Sequence, residues 1–248
     1  LFFLKIKDFF LIFFSIKKLI FLSITGILIS INWTAFIFAV SVGRVQDASM
    51  GYFLTPMISI CLGFFFLKEK ITSLKLLSLL LMLGSIIFLL FNINAIPFLV
   101  LIIGTTWGIY GLLRKQIDVS PEIGLLYETF FLSLLALPYL IYMYIQGSGY
   151  FLNYNSYTSI LLFLTGFVTI FPLFFFNLGI KYIPLGFAGV LFYIAPTFHF
   201  ITSVFILKED LLFYKLIAFI IIWIAIIIYI FDEIKKENIN ENKIQSLN

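Results

Sequence analysis

Long apolar runs dominate the chain, and they predict its secondary structure. A helix needs about 20 mainly apolar residues to cross a hydrocarbon core of about 30 Å. Runs close to that length occupy 19–40, 48–67, 74–91, 96–113, 122–145, 157–180, 185–207 and 211–231. The apolar residues are continuous rather than alternating, which favours helices over barrel strands. The predicted fold class is therefore all-α and integral to a membrane, with about eight transmembrane helices. Residues 1–18 carry too many charges to be predicted as a span.

The composition excludes a water-soluble globular domain. Apolar residues make up 62% of the chain and charged residues 11%, against roughly 45–50% and about 25% in soluble domains. The single Cys61 cannot form a disulfide within the chain and is interpreted as a buried hydrophobe. The net charge of +4 does not indicate a nucleic-acid partner, because Lys and Arg punctuate apolar stretches instead of forming a basic stripe. The predicted partners are the lipid bilayer and a small-molecule solute.

The positive charges between the predicted spans are unevenly distributed. One side of the membrane receives 13 of the 16 Lys and Arg residues, and the other side receives only Arg44, Lys208 and Lys215. Because positive charge accumulates in cytoplasmic loops, the richer side is predicted to be cytoplasmic. Both chain ends then lie in the cytoplasm, and the protein spans the cytoplasmic (inner or plasma) membrane. Residues 233–248 are predicted to form a polar, frayed tail.

An internal repeat recurs at an offset of 140 residues. The stretches 66–91 and 206–231 align without a gap and share a Leu-Lys-Glu string followed by a lone Lys. At the same offset, Pro56 corresponds to Pro196. The span count places the two Lys-Glu strings on opposite sides of the membrane, so the two copies are predicted to be inverted, as in many secondary transporters.

The two copies of the repeat are predicted to differ in completeness. An incomplete first copy covers 1–93 with three spans, and a complete second copy covers 94–232 with five. Subtracting the offset places the partners of 96–113 and of most of 122–145 before residue 1. Together with the initial Leu1, this leads to the expectation that the chain is N-terminally incomplete.

Several short strings of residues in both halves are typical of one family. They are Asn32-Trp33, Ala48-Ser49-Met50-Gly51-Tyr52-Phe53 with Pro56, Phe66-Leu67-Lys68-Glu69, Tyr110-Gly111-Leu112 with Arg114-Lys115, Gly124-Leu125-Leu126-Tyr127-Glu128-Thr129, Gly186-Phe187, Tyr193-Ile194 and Pro196-Thr197. With the inverted repeat, they resemble the chloramphenicol-sensitivity RarD family of EamA-type permeases, within the drug/metabolite transporter superfamily. The resemblance implies a bundle of five plus five helices that lacks its first one to two here. It implies a permease but specifies no cargo.

Two ionisable residues in the predicted spans are candidates for coupling. Glu128 is the only carboxylate deep in a span, and an intramembrane carboxylate is a functional candidate by default. It could bind a cationic group or a coupling proton, or it could join neighbouring helices through a hydrogen bond. His199 is the only histidine and stands where the resemblance implies an apolar residue. It could take part in proton coupling, but a neutral core histidine is the stronger interpretation.

The predicted solute site combines paired prolines with amphipathic side chains. Pro56 and Pro196 are predicted to interrupt equivalent helices, and paired broken helices mark midplane binding sites in transporters. Simple kinks are the alternative. The residues near the expected cavity depth have polar tips, mostly on aromatic rings, and could bind an uncharged or zwitterionic organic solute; they are Asn32, Trp33, Tyr52, Trp107, Tyr110 and Tyr193. Aromatic residues are also common at membrane interfaces.

The sequence leaves three classes of function to compare. A carrier that works by alternating access is favoured by the repeat, and it requires no covalent chemistry, no catalytic residue, no metal and no cofactor. An intramembrane enzyme should contain paired intramembrane Asp residues or an H-E-x-x-H zinc site, which the sequence lacks. A degenerate, transport-inactive fragment is the third class. A homodimer could supply the side of the solute cavity that such a fragment lacks.

The mechanistic hypothesis places spans 19–40, 48–67, 96–113 and 185–207 around a central cavity, with Glu128 at its cytoplasmic mouth. The charges of the repeated string are interpreted as solvated anchors, with a gating pair as the alternative; they are Lys68, Glu69, Lys208 and Glu209.

Overall fold

The fold is a set of packed helices. A computed structural model of the chain describes residues 2–42, 45–92, 98–151, 155–206 and 213–245. The helices are α1 (Phe2–Ile12), α2 (Ile16–Ser41), α3 (Val45–Leu67), α4 (Ser73–Asn92), α5 (Phe98–Gln116), α6 (Pro121–Ile145), α7 (Ser156–Gly179), α8 (Leu185–Leu191), α9 (Ile194–Ile201), a π-helical turn (Thr202–Ile206) and α10 (Phe213–Gln245). No β-strand occurs within these described ranges, which confirms the predicted all-α class.

The helices are apolar enough for a multi-pass membrane protein. Among the described residues, five stretches are long and apolar enough to cross a bilayer: Ile16–Ser41, Phe98–Gln116, Pro121–Ile145, Ser156–Gly179 and Leu216–Lys236. Shorter apolar helical stretches occupy Gly51–Leu67, Ser73–Leu89 and Leu185–Phe198, the last of which includes the turn between α8 and α9. Each of these eight stretches coincides with one of the eight predicted spans.

Two boundaries differ from the predictions. The span 185–207 is not one helix, because two turn residues, Phe192 and Tyr193, separate α8 from α9 and a π-helical turn follows. The tail predicted from residue 233 is helical through Gln245, since its Glu, Lys and Gln residues favour helix and extend α10 without a break. The charged N-terminal stretch forms α1, which is shorter than a span.

Pro56 and Pro196 do not interrupt their helices in the predicted way. Pro56 lies inside the continuous α3. Pro196 is the third residue of α9, within the first turn, where a helix has no partner for a backbone N–H and tolerates proline. The break therefore lies at Phe192 and Tyr193, before the proline.

The helices separate into two compact units. Unit 1 comprises Leu1–Ser30 and Leu113–Tyr182. Its core gathers side chains from α1, α2, the α5–α6 connection and α6, namely Ile12, Leu22, Ile117, Val119, Ile123 and Tyr127. Unit 2 comprises Ile31–Leu112 and Ile183–Asn248, so that α2 and α5 each contribute to both units.

Unit 2 is built around the pairing of α4 with α10 and of α3 with α8. Met82 on α4 and Ile222 on α10 are both buried in its core. Ser78 donates a hydrogen bond to the carbonyl oxygen of Ala225 at 2.7 Å, and Ser85 donates one to that of Ala218 at 3.0 Å. Residue numbers rise along α4 as they fall along α10, so the two helices are antiparallel.

The two serine contacts are equivalent under the repeat. Adding 140 to Ser78 gives Ala218, and adding 140 to Ser85 gives Ala225. The contact between Ser78 and Ala225 therefore maps onto the contact between Ala218 and Ser85. The antiparallel packing of α4 and α10 at this register pairs residues that exchange under the offset. For this pair of helices, the repeat equivalents run in opposite directions, as inverted copies require.

Candidate functional site

Unit 2 contains a continuous series of aromatic rings. The ring centroids of Phe36 and Tyr52 are 5.8 Å apart, those of Tyr52 and Phe192 are 5.6 Å apart, and those of Phe192 and Trp107 are 4.7 Å apart. Trp107 in turn lies 5.8 Å from Tyr110. These separations suit favourable tilted ring contacts. We refer to these five residues as the aromatic series.

Four helical elements bring the rings together. Phe36 lies on α2, Tyr52 lies on α3, and Trp107 and Tyr110 are three residues apart on one face of α5. Phe192 is the C-cap residue of α8 and the first residue of the helix break. The break therefore supplies the central ring, which contacts both Tyr52 and Trp107.

Asn32 lies one helical turn before Phe36, and its side chain is fully buried at 0% exposure. Its amide nitrogen donates to the carbonyl oxygen of Ile103 at 2.8 Å and to the hydroxyl of Thr106 at 2.9 Å. Because a carbonyl oxygen only accepts hydrogen bonds, these contacts fix the orientation of the amide. Among the described residues, no donor reaches its Oδ1. Asn32 therefore presents a fixed, buried acceptor.

Tyr193 joins the helix break to α3. Its hydroxyl donates to the carbonyl oxygen of Phe53 at 2.8 Å, and the two ring centroids lie 5.9 Å apart. The close approach of α8 to α3 depends on a missing side chain, since a Cβ at Gly189 would lie 2.7 Å from the Cβ of Ser59 and 3.1 Å from the Cα of Pro56. Pro56 and Pro196 are both buried, and Trp33 is half-buried beside Asn32 on α2.

Glu128 belongs to unit 1, whereas the other residues predicted to bind solute belong to unit 2. It is 2% exposed and accepts a hydrogen bond from the hydroxyl of Thr25 at 2.6 Å. Its Oε1 lies 3.6 Å from the Nε of Arg114. Arg114 is 0% exposed, and it donates through Nε to Asn177 Oδ1 at 2.9 Å and through Nη2 to the carbonyl oxygen of Pro121 at 3.3 Å. We call Thr25, Arg114, Glu128 and Asn177 the polar cluster.

Most of the polar cluster was not predicted from the sequence. The charge distribution predicts Arg114 in a cytoplasmic loop, whereas the structure buries this side chain at the end of α5. Its partners come from α6 and α7, and no local pattern connects them. The available signal was the choice of Arg in a chain with only two Arg residues, since Arg is favoured over Lys for buried ion pairs.

Two lysines join the C-terminal ends of α5 and α7. Lys115 Nζ donates to the carbonyl oxygen of Ile180 at 2.6 Å, and Lys181 donates reciprocally to that of Ile117. Cations at these positions complement the negative ends of the helix dipoles. Burial lowers the pKa of Lys181, and the neighbouring Arg114 and Lys115 lower it further, whereas Asp118 acts in the opposite direction.

The carboxylate of Glu69 binds the N-terminal end of α8, so Glu69 is not the solvent-exposed charge that the sequence predicts. Its Oε1 accepts from the backbone N–H of Leu185 at 2.6 Å, and its Oε2 accepts from that of Gly186 at 3.2 Å. The preceding Lys68 has a φ of 56°. Lys208 and Glu209 lie outside the described residues. His199 lies on α9, and its side chain is also outside the description.

Unit 1 also has an open, mainly apolar cavity of about 400 Å³ between α6 and α7, lined by Glu122, Leu125, Leu126, Thr129, Ile170, Phe171 and Phe174. No group of three or more His, Cys, Asp or Glu side chains able to hold a metal ion occurs among the residues that the structure describes.

Comparison with known proteins identifies the family. The chain matches the EamA-like transporter family over residues 1–91 and 95–231. It is 36% identical to the uncharacterized transporter YojE of Bacillus subtilis (strain 168) over 225 residues, which cover 89% of this chain and 74% of that protein. It is 31% identical to protein RarD of Escherichia coli (strain K12) over 218 residues, or 88% and 74% of the two chains. The chloramphenicol-sensitive protein RarD of Pseudomonas aeruginosa is 24% identical over 205 residues, or 83% and 68% of the two chains. The chain belongs to the EamA-like transporter family and is a multi-pass membrane transporter of the RarD type.

Proposed function

We propose that the protein moves a small organic solute across the cytoplasmic membrane by alternating access, with the aromatic series and Asn32 forming the solute site. The observation that carries this proposal is the buried Asn32 acceptor, one turn from the start of a series of five rings. A flat or aromatic part of the solute would stack on the rings. A hydroxyl, amine or amide N–H of the solute would donate to Asn32 Oδ1, because a buried acceptor without a donor is costly.

The helix break supports a site that rearranges during transport. Phe192 is the central ring of the aromatic series, in contact with Tyr52 and Trp107. It lies in the turn between α8 and α9, two short helices that occupy the place of one predicted span. Discontinuous helices commonly form the substrate sites of transporters. The rings contact one another directly, so solute entry requires them to separate. A small movement of α8 would move Phe192 away from Tyr52 and Trp107.

The antiparallel pair of α4 and α10 supports the proposal that the transporter alternates between two conformations. The repeat offset of 140 residues maps each of its two serine hydrogen bonds onto the other. Two copies of one packing arrangement can adopt each other's conformation, and this exchange opens a central site to either face in turn. We extend the relation to the whole of the two predicted copies, the incomplete 1–93 and the complete 94–232, with both chain ends in the cytoplasm.

Glu128 is assigned to coupling and not to solute contact. Its partners include Thr25 and Arg114, and protonation of its carboxylate would weaken the attraction to the guanidinium. We expect Glu128→Gln to change the pH dependence of uptake while leaving solute selectivity unaltered. An unchanged pH profile would contradict this role. His199 remains a second proposed coupling residue.

Uptake into proteoliposomes tests the proposed function. The panel contains aromatic amino acids and chloramphenicol, which carries a ring, hydroxyl groups and an amide N–H and is suggested by the name of the Pseudomonas relative. We expect uptake above that of empty liposomes, with loss of uptake in Asn32→Ala. Trp223→Phe on α10 is the matched control, because Trp223 is partly exposed and lies outside the aromatic series.

Three outcomes distinguish the alternatives. Uptake that is equal in the wild type and in Asn32→Ala contradicts the proposed site. Uptake that appears only after two further N-terminal helices are grafted favours a chain that is inactive by itself, the alternative left by the sequence. Uptake that depends on protein density, together with a dimer in native mass spectrometry, supports a homodimer that completes the site.

A further inference from the structure

The carboxylate of Glu69 binds the start of α8 at two points. Its two oxygens accept the backbone N–H groups of Leu185 and Gly186 at 2.6 and 3.2 Å. These N–H groups lie in the first turn of α8, where a helix leaves its donors without internal partners. Hydrogen bonds from backbone N–H groups to an ionised carboxylate are charge-assisted, and they are stronger than those between neutral groups. Glu69 therefore fixes this helix end in both position and direction.

The chain at the end of α3 is shaped to hold Glu69 in place. Lys68 adopts a left-handed conformation with a φ of 56°, and Glu69 N then donates to the carbonyl oxygen of Gly63 at 3.0 Å. A Cβ at Gly63 would lie 2.5 Å from Glu69 Oε2. The absence of a side chain at Gly63 thus lets the carboxylate lie against α3 while it reaches α8.

The opposite end of α8 carries the central ring of the candidate site. The helix has seven residues, Leu185–Leu191, and is followed by its C-cap Phe192. At 1.5 Å per residue, only about 10 Å separates the two ends. Gly189 lies against α3, and an added Cβ at Gly186 would lie 2.7 Å from the hydroxyl of Tyr229 on α10 and 3.2 Å from Ile60 on α3. These glycines pack α8 closely against its neighbours, and Glu69 adds a fixed point at the first turn, one short helix away from Phe192.

We propose that Glu69 is a positioning residue of the transporter: by binding the start of α8, it sets the place of Phe192 in the aromatic series. Loss of the carboxylate charge would release the first turn of α8 and loosen the contacts of Phe192 with Tyr52 and Trp107. This role concerns the geometry of the site and goes beyond the proposed solute binding. Its test uses no solute, so its failure is distinguishable from a failure of the proposed function.

The first measurement is amide hydrogen exchange at Leu185 and Gly186 in the full chain in lipid nanodiscs. In Glu69→Gln, the side chain keeps its length but has only one acceptor oxygen and no charge. We expect exchange at these two amides to accelerate about tenfold, which corresponds to about 1.4 kcal/mol. Glu69→Asp retains the charge on a shorter side chain and should restore part of the protection.

The second measurement follows the ring contact between Trp107 and Phe192. In a background of Trp33→Phe and Trp223→Phe, Trp107 is the only tryptophan, because the chain has three. We expect Glu69→Gln to shift the Trp107 emission to longer wavelength and to increase its quenching by acrylamide, with partial recovery in Glu69→Asp.

Glu233→Gln is the control, since it removes another carboxylate of unit 2 whose partner is Lys75 on α4. It should leave both the exchange at Leu185 and Gly186 and the Trp107 emission unchanged. The proposal is overturned if exchange is unaffected in Glu69→Gln. It is also overturned if exchange accelerates while the Trp107 emission stays constant, because Glu69 would then cap α8 without positioning the ring. A Glu233→Gln effect on Trp107 equal to that of Glu69→Gln would indicate general destabilisation and would likewise overturn it.

Discussion

Tyr193 donates its hydroxyl to the carbonyl oxygen of Phe53, and the two residues are 140 positions apart, the offset of the internal repeat. A residue that contacts its own repeat equivalent lies beside the axis that relates the two copies. The reciprocal contacts of Ser78 and Ser85 place α4 and α10 around an axis of the same kind. Within unit 2, the Tyr193–Phe53 contact thus joins two positions that are equivalent under the offset of 140 residues.

Tyr193→Phe tests the contact beside this axis. The substitution removes one buried hydrogen bond and retains the ring that packs on Phe53. We expect the free energy of unfolding to fall by about 1 kcal/mol, as for a typical internal hydrogen bond. Reversible unfolding in mixed detergent micelles measures this change. Tyr139→Phe, on an exposed position of α6, should have no effect, and equal effects of the two substitutions would contradict the assignment.

Ser78→Ala and Ser85→Ala test the reciprocal pairing of α4 with α10. Each removes one hydroxyl that bonds to a carbonyl oxygen of α10. Side-chain hydrogen bonds between membrane helices contribute about 0.6 kcal/mol on average, so each loss should be close to that value. Because the contacts are equivalent under the repeat, the two variants should lose similar amounts of unfolding free energy. Ser133→Ala, whose hydroxyl bonds within its own helix, is the control, and a large difference between the two α4 variants would count against the symmetry.

The sequence predicts the helical class and the location of the spans well, because a bilayer requires long apolar runs that are visible without an alignment. It does not predict the break at Phe192 and Tyr193. Pro196 drew the prediction to the wrong residue, since a proline in the first turn of a helix causes no interruption. The real break is associated with tertiary contacts of Phe192 and Tyr193, which a local pattern does not contain.

Side chains with a recognisable chemistry were predictable, but their partners were not. The sequence identifies Tyr52, Trp107 and Tyr110 as amphipathic aromatic residues, and all three belong to the aromatic series. Phe192 was missed, because one phenylalanine among 33 carries no distinguishing signal. The burial of Arg114 is not predictable, because a charge near a helix end looks solvated until the packing of α6 and α7 against it is known.

A double-mutant cycle at Arg114 and Glu128 tests the polar cluster. Arg114→Met leaves the buried carboxylate without its cation, and removing one partner of a buried ion pair costs about 3–5 kcal/mol. Adding Glu128→Leu removes the unpaired charge and should recover part of that loss. Unfolding in mixed micelles gives the four free energies of the cycle. Strictly additive effects of the two substitutions would show that the 3.6 Å approach of Arg114 Nε to Glu128 carries no coupling.

Gly124→Ala tests whether the guanidinium of Arg114 lies against the backbone of α6. A Cβ at Gly124 would overlap Arg114 Nη1 and lie 2.5 Å from its Cζ. The end of a long side chain could move aside, but Arg114 is held by Asn177 and by the carbonyl oxygen of Pro121. We therefore expect Gly124→Ala to lower the free energy of unfolding by about 1–3 kcal/mol, although alanine is the better helix former by about 1 kcal/mol.

Two comparisons separate this clash from general effects of replacing glycine. Gly84 on α4 and Gly166 on α7 have no atom within 4 Å of an added Cβ, so alanine there should be neutral or stabilising by up to about 1 kcal/mol. In an Arg114→Met background, Gly124→Ala should lose most of its cost, because the guanidinium that it displaces is gone. If Gly124→Ala is as harmful in that background as in the wild type, the clash lies elsewhere on α6 and the close packing of the guanidinium on Gly124 is wrong.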